Sequence, residues 1–421
     1  MDQPLLYVLV GIVVLSFLFD LLLDYLNSTL WTNSLPEEVK EVYDQDSYKR
    51  SQDYEKENFG LSRKKEILTF LLTMAFLIMG GFGWLDEWAR GVSENPIVIA
   101  LVFFAGVGII FGVVSFPFGV YHTFVVEQKY GFNTITIKTF VLDTLKGILL
   151  TSLIGGGLLA LFIWFYEVAG QWFWIYAWIV FTAFSVLMMM FYSTLIVPIF
   201  NKQTPLGEGE VRNAIEAFAK KAGFSISNIF VIDGSKRSTK ANAYFAGLGK
   251  QKRIVLYDTL IKDYTTEELV AILAHEIGHY KKKHVRKGLL MSVANTGFTL
   301  AILALVIDNP ALSQALGSSV PSAHLGLLAF GILFAPLSMA TGIMANYLSR
   351  KHEYEADAFA ATQYDSDAAQ SALKKLYKTH LANLRPHPWY EFVHFSHPGL
   401  LKRLKHLKKF STHDTRNYST G

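Results

Sequence analysis

The stretch Pro96–Tyr121, PIVIALVFFAGVGIIFGVVSFPFGVY, contains no charged side chain. At about 1.5 Å per residue a helix of this length crosses the roughly 30 Å hydrocarbon core of a bilayer. The rest of the chain has the same character. Its 421 residues are 51% hydrophobic and 14% aromatic, with 32 phenylalanines, which is too apolar for an ordinary soluble enzyme and points to the membrane class.

Outward from that stretch, further apolar spans are predicted at Leu5–Asn27, Ile67–Trp84, Ile148–Tyr166, Phe173–Phe200, Gly288–Ile307 and Leu325–Leu348, seven in all. The first lacks a basic leader and a small-residue cleavage site, so it reads as a retained helix and not a signal peptide. Asp20 and Asp24 share one face near its end and either reach the interface or face a polar interior. Small and polar interruptions such as Gly155-Gly156-Gly157 and Asn295-Thr296 allow close helix packing or line a wet cavity. The expected division is 1–200 with spans one to five, 201–287 as a polar catalytic segment, 288–348 with spans six and seven, and 349–421 as a polar C-terminal segment.

Lys and Arg follow span one, are reduced to Arg90 after span two, return after span three, are absent after four, return after five, are absent after six and abound after seven. The positive-inside rule then places the N-terminus outside and the C-terminus in the cytoplasm. The chain has no cysteine, which excludes disulfides, thiolate metal ligands and a cysteine nucleophile. A net charge of +4, with basic residues scattered among acidic ones, gives no argument for nucleic acid.

The polar segment 201–287 ends in Ala274-His275-Glu276-Ile277-Gly278-His279-Tyr280. Thr265-Thr266-Glu267-Glu268 offers a capping box, and Leu269, Ile272, Leu273, Ile277 and Tyr280 follow at helical spacing. His275 and His279, four apart, therefore project from one face and can hold one Zn²⁺. A zinc with three protein ligands keeps a position for water and lowers its pKa, and Glu276 is the base that takes the proton. The expected reaction is peptide hydrolysis. A third ligand is available downstream in Glu353-Tyr354-Glu355-Ala356-Asp357. Glu353 can complete the site, and Asp357, on the same helical face, can fix the tautomer of His275. Glu355 points away from that face and reads as a surface charge.

Asn242-Ala243-Tyr244-Phe245 and Arg253–Tyr257 are β-prone runs separated by Gly247-Leu248-Gly249, the pattern of a hairpin. An edge strand beside the zinc would bind an extended substrate, with Asn242, Ala243 and Tyr244 as its contacts.

The order of seven spans, with His275-Glu-x-x-His279 between the fifth and sixth and Glu353-x-x-x-Asp357 after the seventh, resembles the Ste24 family of integral-membrane zinc metalloproteases, also called CAAX prenyl protease 1, of peptidase family M48. Glu127–Asn133, Asp233–Ser238 with Asn242–Phe245, and Phe395-Ser396-His397-Pro398 with Arg403 resemble its secondary motifs. Lys240 departs from the histidine of eukaryotic members.

The resemblance implies an α-helical polytopic membrane protein whose seven helices surround an intramembrane chamber, capped on the cytoplasmic side by a small α/β gluzincin-type unit. It implies one zinc per chain, a role for His397 in stabilising the oxyanion, and Arg403 contacting substrate or supporting a carboxylate. The implied substrate is a prenylated CAAX peptide that loses its last three residues. A bacterial member would instead clear misfolded membrane proteins. The lack of a C-terminal retrieval signal favours a bacterial inner membrane, the endoplasmic reticulum being the location in a eukaryote; a monomer is favoured. A scaffold or transporter with a structural zinc is the reading from another class, and the retained Glu276 argues against it.

Overall fold

A computed structural model describes residues 3–32, 34–224, 229–247 and 253–411. The apolar runs form helices α1 (Gln3–Ser28), α2 (Gln45–Ile78), α3 (Gly81–Val92), α4 (Pro96–Tyr121), α5 (Ile137–Ala169) and α6 (Phe173–Phe191), with a short α7 (Val197–Phe200) behind a π-helical turn. Among the described residues five helices are long and apolar enough to cross a membrane, or six if the bent pair α2–α3 is one span. One of the five is the 64-residue run Ile137–Phe200, which as a straight rod would reach about 96 Å. It folds back instead at Gly170–Trp172, so that α6 lies against α5 with Phe162 on Phe173 and Phe165 on Tyr176.

Two details differ from the sequence reading. The expected span Ile67–Trp84 is broken, because α2 stops at Ile78 and the chain turns by 71° into α3 through Gly80, whose φ of 69° suits glycine. Asp24 does not simply reach the interface; it pairs with Arg63 of α2.

The polar segment builds a four-stranded sheet from β1 (Gln203–Pro205), β2 (Ile229–Ile232), β3 (Ala243–Ala246) and β4 (Arg253–Tyr257), in the order β1-β2-β4-β3. The predicted pairing of Asn242–Phe245 with Arg253–Tyr257 is present as antiparallel β3/β4, with Ala243 opposite Leu256. Leu248 and Gly249 of its connection lie outside the described residues. Helix α8 (Glu210–Lys221), α9 (Asp258–Asp263) and α10 (Thr266–Lys281) complete the unit. Leu269, Leu273 and Ile277 of α10 bury one face against Ile254 and Leu256 of β4 and against Ile215 and Phe218 of α8. That burial turns the other face of α10, with both histidines, toward the C-terminal part of the chain.

Among the described residues six helices make up that part: α11 (His284–Val306), α12 (Pro310–Ala315), α13 (Ala323–Gln363), α14 (Ser366–Thr379), α15 (Pro388–His394) and α16 (Leu400–Lys408). Helix α13 runs unbroken through the expected boundary at 348/349, so the acidic pair rides on the end of an apolar helix. At the other end of α13, Asp86 of α3 accepts hydrogen bonds from His324 (2.7 Å), Ser318 (2.7 Å) and Arg90 (3.1 Å). The stretches Glu127–Asn133 and Asp233–Ser238 zip together: Thr134 N–H donates to Arg237 O, Thr239 N–H donates to Phe132 O, and the Lys240 ammonium meets Glu127 at 2.9 Å. This lashes the entry to β3 onto the membrane helices.

Candidate metal centre

Both halves of the Thr265/Glu268 capping box are made, and Glu268 also reaches Ser371 (2.7 Å) and Lys375 (3.2 Å) of α14. The start and rotation of α10 are thus fixed two turns before His275. Helix α10 then crosses α13 at a point where only glycine fits without displacement. A Cβ on Gly278 would lie 3.1 Å from the Ala356 Cα and from the Phe359 Cβ. This approach, between one histidine and the next, brings Glu353 and Asp357 within reach of both rings.

His275, His279 and Glu353 each offer a ligand atom within 4.8 Å of the others. The Nε2 atoms of the histidines face one another at 3.0 Å, and the Glu353 oxygens lie 3.4 Å from His275 Nε2 and 3.2 Å from His279 Nε2. The outer nitrogens are committed elsewhere: His275 Nδ1 to Asp357 at 2.9 Å, His279 Nδ1 to His284 at 3.0 Å. Burial pulls the His275 imidazole down, but the neighbouring carboxylates of Asp357 and Glu353 outweigh it and push it up to about 9. The surroundings favour positive charge here.

This arrangement fits a divalent cation. Two imidazole nitrogens and a carboxylate are the donor set that suits zinc. Glu353 is 4% exposed, and its Oε2 accepts no hydrogen bond among the described residues, although Arg403 Nη1 and His275 Nε2 lie within ion-pair distance. An orphaned buried carboxylate oxygen is costly unless a cation meets it.

Glu276, Asn242, Ala243 and His397 line the same cavity as His275, His279 and Glu353, of about 450 Å³. His397 is exposed, with Nε2 at 3.4 Å from Glu353 Oε1 and Nδ1 at 3.0 Å from Ser396 Oγ. Arg350 holds this loop by donating to Phe395 O at 2.5 Å. Asn242 is exposed at the start of the edge strand, whereas Tyr244 does not reach the cavity of the three residues: its hydroxyl lies 3.4 Å from Ser193 Oγ and it lines a second cavity. Arg403 lines this cavity too, and of its two expected settings it shows the one beside a carboxylate. It is 7% exposed and clamps Asp357 through Nε (2.8 Å) and Nη2 (2.6 Å) while facing Glu353 at 3.3 Å. Two buried carboxylates need that countercharge, so its fork is spent on them.

Two residues escaped the sequence reading, His284 and Glu355. Glu355 is not a plain surface charge: it meets His284 Nε2 at 3.0 Å with its side chain 31% exposed. Nothing in the spacing showed this, because His284 stands beyond the end of α10 and its direction depends on the turn between α10 and α11.

A polar unit with a His-His-Glu centre and an adjacent glutamate, seated on long apolar helices, defines an integral-membrane zinc metalloprotease. Residues 25–202 match the family described as CAAX prenyl protease N-terminal, five membrane helices, and residues 205–411 match peptidase family M48. The chain is 35% identical to the CAAX prenyl protease 1 homolog of Oryza sativa subsp. japonica, over 97% of this chain and 98% of that one. It is 30% identical to CAAX prenyl protease 1 of Saccharomyces cerevisiae, over 94% of each chain. The crystal structure of S. mikatae Ste24p superposes with a TM-score of 0.91 at 30% identity, covering 96% of this chain and 99% of that one. The chain belongs to peptidase family M48, among the CAAX prenyl proteases 1.

Proposed function

We propose that this chain cleaves peptide bonds at a single zinc ion held by His275, His279 and Glu353, and that its substrates include prenylated CAAX peptides, cut after the modified cysteine. The observation that carries the reading is the convergence of those three ligand atoms within 4.8 Å in a cavity shared with Glu276. When bound, zinc supplies Lewis-acid polarisation and a lowered pKa for water. Glu276 takes the proton of the attacking water and returns it to the leaving amine. His397 donates from Nε2 toward the oxyanion that develops on the scissile carbonyl. Asp357 holds the His275 tautomer by accepting from Nδ1, and Arg403 keeps both carboxylates in place.

Substrate lies along β3, whose outer edge has no strand partner among the described residues, in the order β1-β2-β4-β3. Asn242 belongs to the walls of both the zinc cavity and a second cavity of about 810 Å³, which Met188, Met189, Tyr192 and Tyr244 also line. An extended chain on β3 would pass from the metal into that apolar space, which suits a hydrocarbon group. The unit is of gluzincin type because its third ligand is a glutamate on a separate helix. Counting α5 and α6 separately and α2–α3 as one span is consistent with seven crossings, and the charge of the loops supports a catalytic unit and C-terminus on the cytoplasmic side. Most of the surface of the long apolar helices is left uncovered by protein, which fits helices that face lipid and line a chamber.

The test is hydrolysis of a farnesylated CAAX peptide by the detergent-purified protein beside Glu276→Gln and a chelator-treated sample. Cleavage after the modified cysteine, lost by about 10²–10⁴-fold in Glu276→Gln and restored by zinc after chelation, is the expected result. A zinc-bound protein that leaves the peptide intact would overturn the CAAX assignment and direct attention to unfolded membrane proteins as substrates.

A further inference from the structure

We propose that Glu355 and His284 form a relay that fixes the tautomer of the zinc ligand His279, the counterpart of Asp357 acting on His275. The inference rests on the reading of His279 as a ligand and concerns positioning residues that touch neither substrate nor metal.

The backbone builds the relay. Helix α10 ends at Lys281, Lys283 takes a left-handed conformation with φ 60°, and α11 begins at His284. This turn carries the His284 ring back beneath His279, the two rings meeting edge to face at 5.1 Å. His284 is only 5% exposed and is stacked on His352 with centroids 4.0 Å apart, so its plane is held. Its Nδ1 lies 3.0 Å from His279 Nδ1, and its Nε2 lies 3.0 Å from Glu355 Oε2.

Proton placement is set by what each group can do. An ionised carboxylate only accepts, so His284 Nε2 carries the hydrogen that bonds Glu355. A neutral imidazole carries one N–H, so His284 Nδ1 is an acceptor. The hydrogen between the two rings then belongs to His279 Nδ1. That leaves His279 Nε2 with its lone pair directed at His275 and Glu353, the state in which an imidazole ligates metal. Reversed, the relay would put a proton where the metal belongs. His275 needs one partner for this purpose because Asp357 reaches it directly; His279 needs two because α13 presents its next acceptor, Glu355, from farther away. The relay also ties one ligand to α11 and α13 at once.

The test uses full-length protein in detergent, measuring zinc affinity by chelator competition and the visible absorption spectrum of the cobalt(II)-substituted site. Four proteins are compared: wild type, Glu355→Gln, Glu355→Ala and His284→Phe. Glutamine still accepts from His284 Nε2, so Glu355→Gln stays within about threefold of wild type, whereas Glu355→Ala and His284→Phe bind zinc about 10–100-fold more weakly and alter the cobalt spectrum. Glu355 is partly exposed, so its variants carry the test even if the buried His284→Phe does not fold. Wild-type affinity and spectrum in Glu355→Ala would overturn the relay and leave the zinc centre standing. Equal weakening by Gln and Ala would also overturn it. A wild type that binds neither metal would instead remove the metal reading on which the relay rests.

Discussion

Each end of the molecule holds a buried cluster of carboxylate, histidine and arginine. At one end, Asp86 is 1% exposed, both its oxygens accept hydrogen bonds, and it faces one arginine. At the other, Glu353 and Asp357 face one arginine, two histidines turn their nitrogens toward a common point, and one Glu353 oxygen accepts no hydrogen bond among the described residues. The first cluster closes on itself and acts as a clamp between α3 and the start of α13. The second is incomplete in protein atoms and its donors converge on a space, which is what makes it a site.

The largest difference should appear on removing each arginine. Arg403→Met strands two buried carboxylates and should destabilise by about 3–5 kcal/mol. Arg90→Met leaves Asp86 bonded to His324 and Ser318 and should cost about 1–3 kcal/mol. Apparent melting temperatures in one detergent would rank them, and a larger loss for Arg90→Met would break the comparison.

Next come the glycines that allow close approach. A Cβ on Gly83 would lie 2.3 Å from Gly317 O, a backbone atom, so Gly83→Ala should cost about 1–3 kcal/mol with unchanged specific activity of the folded fraction. Gly278→Ala should cost less stability, because its nearest neighbours are at 3.1 Å, yet lower zinc affinity by spreading α10 from α13. Melting curves paired with chelator titration separate the two effects, and unchanged zinc affinity in Gly278→Ala would contradict the account.

A further contrast is one of pH, at His380, whose Nε2 accepts from Ala241 N–H at 3.1 Å beside the entry to β3. Burial, and then the charge of Lys240, push this imidazole down from 6.5 to about 4. The unfolded chain takes up the proton first, so the stabilisation is complete above pH 6.5 and is lost as pH falls from 6.5 toward 4. His380→Gln should flatten the pH dependence of the melting temperature across that window; an unchanged slope would exclude His380 as its source.

The site was legible where function follows local periodicity. His275 with His279, and Glu353 with Asp357, are pairs four apart, and helical geometry alone places each pair on one face. The hairpin was legible from two β-prone runs. The membrane class followed from uncharged runs such as Pro96–Tyr121, but the break at Gly80 did not, because an apolar run does not reveal a bend that one glycine permits. Glu355 was misread, and Arg403 was left between substrate and a carboxylate, because a side chain's partner on another helix depends on crossing geometry, and here that geometry is set by Gly278 against Ala356. His284 was hidden by a left-handed Lys283, a conformation that lysine rarely adopts.

The most direct measurement is the zinc content of the purified protein by elemental analysis, for wild type, His275→Ala and His324→Ala. One zinc per chain is expected in wild type and in His324→Ala, and loss of zinc in His275→Ala. A wild type without zinc, or a His275→Ala protein that keeps its full complement while His324→Ala loses it, would contradict the assignment of the two clusters.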